Sequence, residues 1–228
     1  MKQTRIMKRI ASAVLFVSLA TLGADQSAPV PIEEEPHHHL VLKNDYVQVF
    51  HTTVAPGEST LFHVHLHDNA GVELSTRTTT DQLLGKSEGA PSVSRAGEVF
   101  ANSRLQGPTT HRVHNVGSTT MDVIDVEFFQ RPEHALATAA APVAAENASA
   151  RVYSWVLAPG AVSAMHSHER PYLIVAVTPM HLKMTAPDGR SFTDDVKPGD
   201  FHWVDAKVTH TLENAGTTPG QLVEFEMK

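Results

Sequence analysis

Two segments of the chain 103 positions apart carry the same pattern: KNDYVQVFHTTVAPG at 43–57 and ENASARVYSWVLAPG at 146–160. They align without a gap, so that Asn44 meets Asn147, Val49 meets Val152, Phe50 meets Tyr153, and both segments end in Ala-Pro-Gly. The same offset carries His63 and His65 onto His166 and His168. Farther on, HRVHNVG at 111–117 meets HTLENAG at 210–216 at an offset of 99, the change reflecting a loop of different length. Glu127 in VIDVEF then falls on Glu226 in LVEFEM. A chain built twice from one unit folds each unit the same way, so any architecture assigned here is assigned twice.

Within each unit, short β-branched and aromatic runs lie between Pro-Gly, Asp-Gly and Asn-x-Gly turns; examples are 47–54, 152–157, 173–178, 200–204 and 221–226. No long stretch at helical period competes with them. The expected class is all-β, with two sandwiches or barrels in tandem. The units span 37–131 and 147–228. The Ala/Pro-rich stretch between them, 132–146, reads as an extended linker, with a short helix near 135–141 as the alternative.

The N-terminus reads differently. Lys2, Arg5, Lys8 and Arg9 precede a run from Ile10 to Leu22 with a small-residue exit at Gly23-Ala24, the pattern of a secretory signal peptide over 1–24. Thirteen such residues fall short of the roughly 20 that a bilayer demands. Residues 25–36 read as a poorly ordered Pro/Glu-containing leader. An exported protein in the periplasm or medium is expected, with no membrane attachment after cleavage. The formal charge of −7 becomes −11 without the four basic residues of the signal. An acidic chain with no basic stripe argues against nucleic acid and anionic membranes as partners. The absence of Cys removes disulfides and thiolate chemistry.

Fifteen His are many for this length. Side chains alternate faces along a strand, so His166 and His168 share one face and can share one ligand. His210 follows 42 residues later, with Asn214 four residues beyond it. Two imidazoles at i, i+2 plus a distant third is a ligand set for a transition metal on a β scaffold. The first unit offers His63, His65 and His111 in the same layout, with His67 as an alternative to His63. His37-His38-His39 reads either as a secondary metal contact or as the solvated start of a strand. Asp68 and His114 are expected as outer or surface groups, and Asn115 and Asn214 as turn residues that hold backbone. Trp155 reads as core.

At these residues the chain resembles the cupin superfamily, and its duplication resembles a bicupin. The first cupin motif, G-x5-H-x-H-x3/4-E-x6-G, is matched by Gly57, His63 and His65, and again by Gly160, His166 and His168. The second motif is matched by His111 and Asn115, and by Gly199, His210 and Asn214. Asp205 and Lys207 stand where the motif has Pro and Gly. The motif's Glu is missing from both halves: its positions hold Asn69 or Ala70 in one and Tyr172 or Leu173 in the other. Glu73 can substitute only if the chain bulges before it. The resemblance implies two jelly-roll barrels of the RmlC-like kind, over about 180 residues. It also implies a divalent transition metal (Fe, Mn, Zn or Ni) at His166, His168 and His210 and at His63, His65 and His111. Three neutral imidazoles leave such an ion its full charge, an open site that polarises an anionic or chelating ligand.

The function implied is a mononuclear metal-dependent oxygenase acting on a small oxygenated substrate, with Tyr172 as acid/base or hydrogen-bond donor. The alternative is a non-catalytic bicupin that binds a metal or small ligand. Phe62, Met165, Tyr172, Phe201 and Trp203 are candidates for the cavity wall, or ordinary core. A bicupin can act as a monomer because its barrels stand in for a dimer; a homodimer is the other expectation. Serine hydrolase and phosphate-loop chemistry are disfavoured, since the histidine cluster has no paired nucleophile and no Gly-rich phosphate loop follows a strand.

Overall fold

The computed structural model describes residues 28–130, 141–205 and 207–228. The expected signal peptide, residues 25–27, and 131–140 of the linker region lie outside the described residues. The first half contains β1 (Val30–Pro31), β2 (His38–Lys43), β3 (Val47–Val54), β4 (His63–His65), β5 (Asp68–Glu73), β6 (Arg77–Leu83), β7 (Ser92–Ser94), β8 (Val99–Asn102), β9 (Thr109–Asn115) and β10 (Met121–Phe128). The second half contains β11 (Ala145–Glu146), β12 (Ala150–Leu157), β13 (His166–His168), β14 (Tyr172–Ala176), β15 (Met180–Thr185), β16 (Ser191–Val196), β17 (Phe201–Val204), β18 (Val208–Asn214) and β19 (Gly220–Met227).

Each half folds into two facing sheets with the same strand order. The first half has β2-β3-β10-β5-β8 opposite β4-β9-β6-β7, with β1 added beside β4; the second has β11-β12-β19-β14-β17 opposite β13-β18-β15-β16. The repeat read in the sequence is thus a repeat of topology, and the fold is two tandem jelly-roll barrels. Among the described residues no helix is long and apolar enough to cross a membrane.

Strand alternation sorts the side chains into two destinations. Seven apolar residues of the first half, among them Val47, Val49, Ile124 and Phe128, form one cluster with seven of the second, among them Val152, Val175, Val223 and Phe225. The outer faces of the two five-stranded sheets therefore pack on each other, and the barrels share one core. Tyr46 stacks on Trp203 at its edge, ring centres 5.8 Å apart. Gln221 Nε2 donates to the Gly97 carbonyl at 2.9 Å, and Asn147 Nδ2 to that of Asn69 at 3.0 Å. Phe225→Ala is expected to destabilise the chain by about 3–5 kcal/mol. Chemical denaturation should show both halves unfolding together at a lower midpoint.

The other face of each strand points into its own barrel. On β10 this face carries Asp125 and Glu127, and on β19 Glu224 and Glu226, all buried. The Pro-Gly turns leading toward β4 and β13 hold Gly57 at φ 80° and Gly160 at φ 73°, a conformation natural only to glycine. Lys207, where the motif has Gly, keeps that glycine conformation at φ 68°.

The described part of the leader is structured, contrary to the sequence expectation. β1 pairs in parallel with β4, placing Val30 opposite His63, and a 3-10 turn follows at Ile32–Glu34. Ile32 and Glu35 are buried. One apolar side chain and one satisfied carboxylate anchor a segment whose composition reads as polar.

Candidate metal centre

In the second barrel β13 turns His166 and His168 inward, β18 places His210 directly opposite His166, and β19 supplies Glu224. One ligand atom from each of the four lies within 4.8 Å of every other, and all four residues are buried. Nε2 of His168 is 3.5 Å from Glu224 Oε2, and Nε2 of His210 is 3.7 Å from Glu224 Oε1. The outer nitrogens are held in place: His166 Nδ1 by the Ala164 carbonyl at 3.0 Å, His168 Nδ1 by Glu226 at 3.1 Å. Glu226 is itself fixed by the Tyr153 hydroxyl, which donates to it at 2.7 Å.

The inner atoms are left over. Nε2 of His166, His168 and His210, and Oε1 of Glu224, are buried without a hydrogen-bond partner among the described residues. A buried polar atom with no partner costs about 1–3 kcal/mol, and four converging on one point are explained together by one cation. The residues present therefore fit a divalent transition metal. Their donor set corrects the expectation of an open three-imidazole site, because Glu224 stands in for the carboxylate missing from the first motif. It lies on the strand that alternation turns inward, two residues before Glu226, a position no family motif marks.

The electrostatics agree. Burial opposes ionisation of Glu224, but the imidazolium of His168, 3.5 Å away, outweighs it and holds the carboxyl below its ordinary value. Burial likewise presses on the His168 imidazolium, yet Glu224 and Glu226 raise it to about 9. His210 is pushed down to about 4, by burial first and then by its neighbouring imidazoles against the pull of Glu224. Without metal, the pair His168–Glu224 is ionic and His210 is neutral.

Two aromatic rings complete the centre. Trp155, read from the sequence as core, stacks on His166 with ring centres 4.6 Å apart, and its Nε1 donates to Glu224 Oε2 at 2.6 Å. Tyr172 lies flat on His168 at 4.0 Å. Burial, then the charges of Glu224 and Glu226, push its phenol above the ordinary value. Tyr172 is therefore a neutral hydroxyl, suited to donate a hydrogen bond and unsuited to act as a base. The other wall candidates lie elsewhere: Met165 is exposed, Phe62 packs under Arg112, Trp203 joins the barrel interface, and Phe201 lines an adjoining cavity.

In the first barrel His63, His65 and His111 face a cavity of about 390 Å³. The ring of His111 stands 4.7 Å from that of His63 and 5.1 Å from that of His65. The group whose ligand atoms lie within 4.8 Å of one another is, however, His38, His63 and His65. His67 is not among them; β4 ends at His65, alternation stops there, and the His67 ring packs on Phe129. Glu73 is committed to Arg77 at 2.5 and 2.7 Å. Asn69, at the motif's Glu position, donates to Asp125 at 2.9 Å. Asp68 is buried and accepts from the Arg104 amide, whereas His114 pairs with Glu88 at the surface. Asn115 and Asn214 hold backbone as expected, each donating to two carbonyls.

Burial pushes His63 down to about 3 and His65 well below its ordinary value, with neighbouring imidazoles adding to both. Burial and then Asp125 raise Glu127 to about 8. The 2.9 Å contact of His65 Nδ1 with Glu127 is therefore a hydrogen bond between neutral groups, unlike its counterpart in the second barrel.

Two tandem jelly rolls, each gathering inward-facing imidazoles on matching strands, define a double-barrel protein with a group of candidate metal ligands in each barrel. No family model matches the chain. The β-alanine degradation protein BauB of Pseudomonas aeruginosa is 33% identical over 86 residues, which are 38% of this chain and 90% of that protein. Among solved structures, AerE from Microcystis aeruginosa has a TM-score of 0.56 at 12% identity, covering 85% of this chain and 98% of that one. Salicylate 1,2-dioxygenase from Pseudaminobacter salicylatoxidans has a TM-score of 0.53 at 13% identity, covering 82% and 75%. The chain belongs to the cupin superfamily, as a bicupin.

Proposed function

We propose that this is an exported bicupin that holds a divalent transition metal in its second barrel and uses it as an oxygenase on a small oxygenated substrate. The observation that carries the reading is the convergence, on a single buried point, of three imidazole nitrogens and one carboxylate oxygen that have no hydrogen-bond partner among the described residues. Export rests on the basic start and apolar run of residues 1–24, and intact mass should place the mature N-terminus near Asp25.

His166, His168, His210 and Glu224 would hold the ion, which supplies Lewis acidity and, as iron or manganese, redox chemistry. The chain does the rest. Trp155 fixes the orientation of Glu224, Glu226 fixes that of His168, and the Tyr172 hydroxyl is available to a substrate oxygen. Tyr172 and His210 open onto a cavity of about 310 Å³ that shares Met184, Phe192 and His202 with a second of about 280 Å³. The second is lined mainly by apolar side chains, among them Ile174, Leu182 and Phe201. Such walls suit a substrate with an apolar or aromatic body and oxygen atoms at one end. The fold neighbour salicylate 1,2-dioxygenase has been crystallised with gentisate, a precedent for that class.

The test is elemental analysis of the natively exported protein, then oxygen uptake with phenolic and keto-acid substrates. Iron or manganese near one equivalent at the second barrel, with substrate-dependent uptake, is the expected result. Stoichiometric metal without uptake would favour the non-catalytic reading. Failure to retain any metal would refute the oxygenase and leave the binding reading in need of a different ligand.

A further inference from the structure

We propose that the first barrel carries a metal centre of a different kind, a four-imidazole site of His38, His63, His65 and His111. His38 comes from β2, outside the repeated motifs, and takes the place that Glu224 has in the second barrel. This inference does not depend on the second centre.

Four imidazoles are anchored by their outer nitrogens. His38 Nδ1 is hydrogen-bonded to Glu35 at 2.5 Å, His63 Nδ1 to the Leu61 carbonyl at 2.9 Å, His65 Nδ1 to Glu127 at 2.9 Å and His111 Nδ1 to Asp81 at 2.5 Å. An outer partner of this kind orients a ligating histidine and leaves Nε2 for the metal. Nε2 of His63 and Nε2 of His65 are 3.2 Å apart. Two nitrogens each about 2.0–2.1 Å from one ion stand about 3 Å apart across a tetrahedral or octahedral angle. The His38 ring lies 4.5 Å from that of His63, and His111 Nε2 is buried without a partner among the described residues.

The placement of His38 follows from register. β2 pairs with β3 so that His38 sits opposite Thr52, on the barrel's inner face, and a bulge between Leu40 and Leu42 then shifts the strand. Glu35, 2% exposed, also accepts from the backbone amides of His37 at 2.9 Å and Leu61 at 3.0 Å. Together with the pairing of β1 on β4, these bonds tie the segment bearing His38 to the strand bearing His63 and His65.

Each barrel thus has one source of a fourth ligand. In the first, the position matching Glu224 is Asp125, one methylene shorter and engaged by Asn69 at 2.9 and 3.2 Å. In the second, the strand matching β2 is β11, two residues that contain no His. The first centre keeps an ion's full +2 charge, while Glu224 reduces that of the second. An all-imidazole set suits Zn, Cu, Fe or Ni.

The test uses the purified chain stripped of metal, alongside a His166→Ala/His168→Ala variant that silences the second centre. Zinc is titrated against a competing chelator, bound zinc is counted by mass spectrometry, and zinc-edge X-ray absorption counts the imidazoles. The silenced chain should hold one zinc with four imidazoles. His38→Gln should weaken it by at least about 100-fold and Glu35→Gln by about 10–100-fold, with circular dichroism unchanged. An unaltered affinity in His38→Gln, three imidazoles in the silenced chain, or no zinc there would overturn the proposal. If His38→Gln fails to fold, the imidazole count in the silenced chain decides. In the intact chain, one zinc lost with His38→Gln but kept in His210→Ala would support this centre while refuting the other; the opposite pattern would do the reverse.

Discussion

Glu224→Gln should strip the second barrel of its metal and lower the count per chain by one equivalent. The substitution keeps shape and removes charge. Glu224 is the sole carboxylate in its group of four converging ligands, and its Oε1 is otherwise unpartnered among the described residues. An amide oxygen is a far weaker partner for a dication than a carboxylate, so affinity should fall by more than the roughly 10–100-fold that loss of an outer hydrogen-bond partner costs. Glu226→Gln is the control at that lower level, because Glu226 touches His168 only at Nδ1. Packing should survive Glu224→Gln, since the amide oxygen can still accept from Trp155 Nε1. Elemental analysis after dialysis, paired with thermal melting of the metal-free forms, separates lost metal from a lost fold. Full metal in Glu224→Gln would return the centre to three imidazoles and remove the explanation offered for the missing motif carboxylate.

What the sequence made legible follows from where the information is local. The H-x-H pairs were readable because alternation alone puts positions 166 and 168, or 63 and 65, on one face. Asn115 and Asn214 were readable because their bonds are to carbonyls nearby in the fold and in the repeat. Glu224 was hidden although its strand was assigned, since alternation shows that it shares a face with Glu226 but not which histidines that face meets. That depends on β19 lying between β12 and β14 and facing β13 and β18 across the barrel. Trp155 was misread for the same reason: a half-buried indole in an apolar strand looks like core until its Nε1 is seen on a carboxylate. His38 was ambiguous because it lies outside the segments that align between the halves, where comparing them has nothing to say. The order of residues 28–36 was missed because a single buried carboxylate, Glu35, satisfies several donors that composition does not reveal.

Metal uptake by the second barrel should release a proton from His168 and strengthen by about tenfold for each unit of pH up to about 9. The sign comes from the metal-free protonation states. Glu224 is held below its ordinary value and is already ionised near neutrality, and His210, pushed to about 4, is already neutral. His168, raised from 6.5 to about 9 by its two carboxylates against burial, still carries its proton at pH 7 and must lose it to become a ligand. Below about pH 9 every ion bound displaces that proton, so acid weakens binding; above it the dependence levels off. In the first barrel His63 and His65 have no such proton to lose at pH 7, because burial keeps both neutral. Calorimetric titration of the His63→Ala variant in two buffers of different ionisation enthalpy measures the release directly. The same ion pair stabilises the metal-free fold fully below about pH 6.5, and its contribution fades as pH rises through about 9. Thermal melting of the stripped chain should therefore fall across that window, and the fall should vanish in Glu224→Gln/Glu226→Gln. An affinity unchanged between about pH 6 and 9 would mean that His168 is already unprotonated, and the ionic pair assigned to it would be wrong.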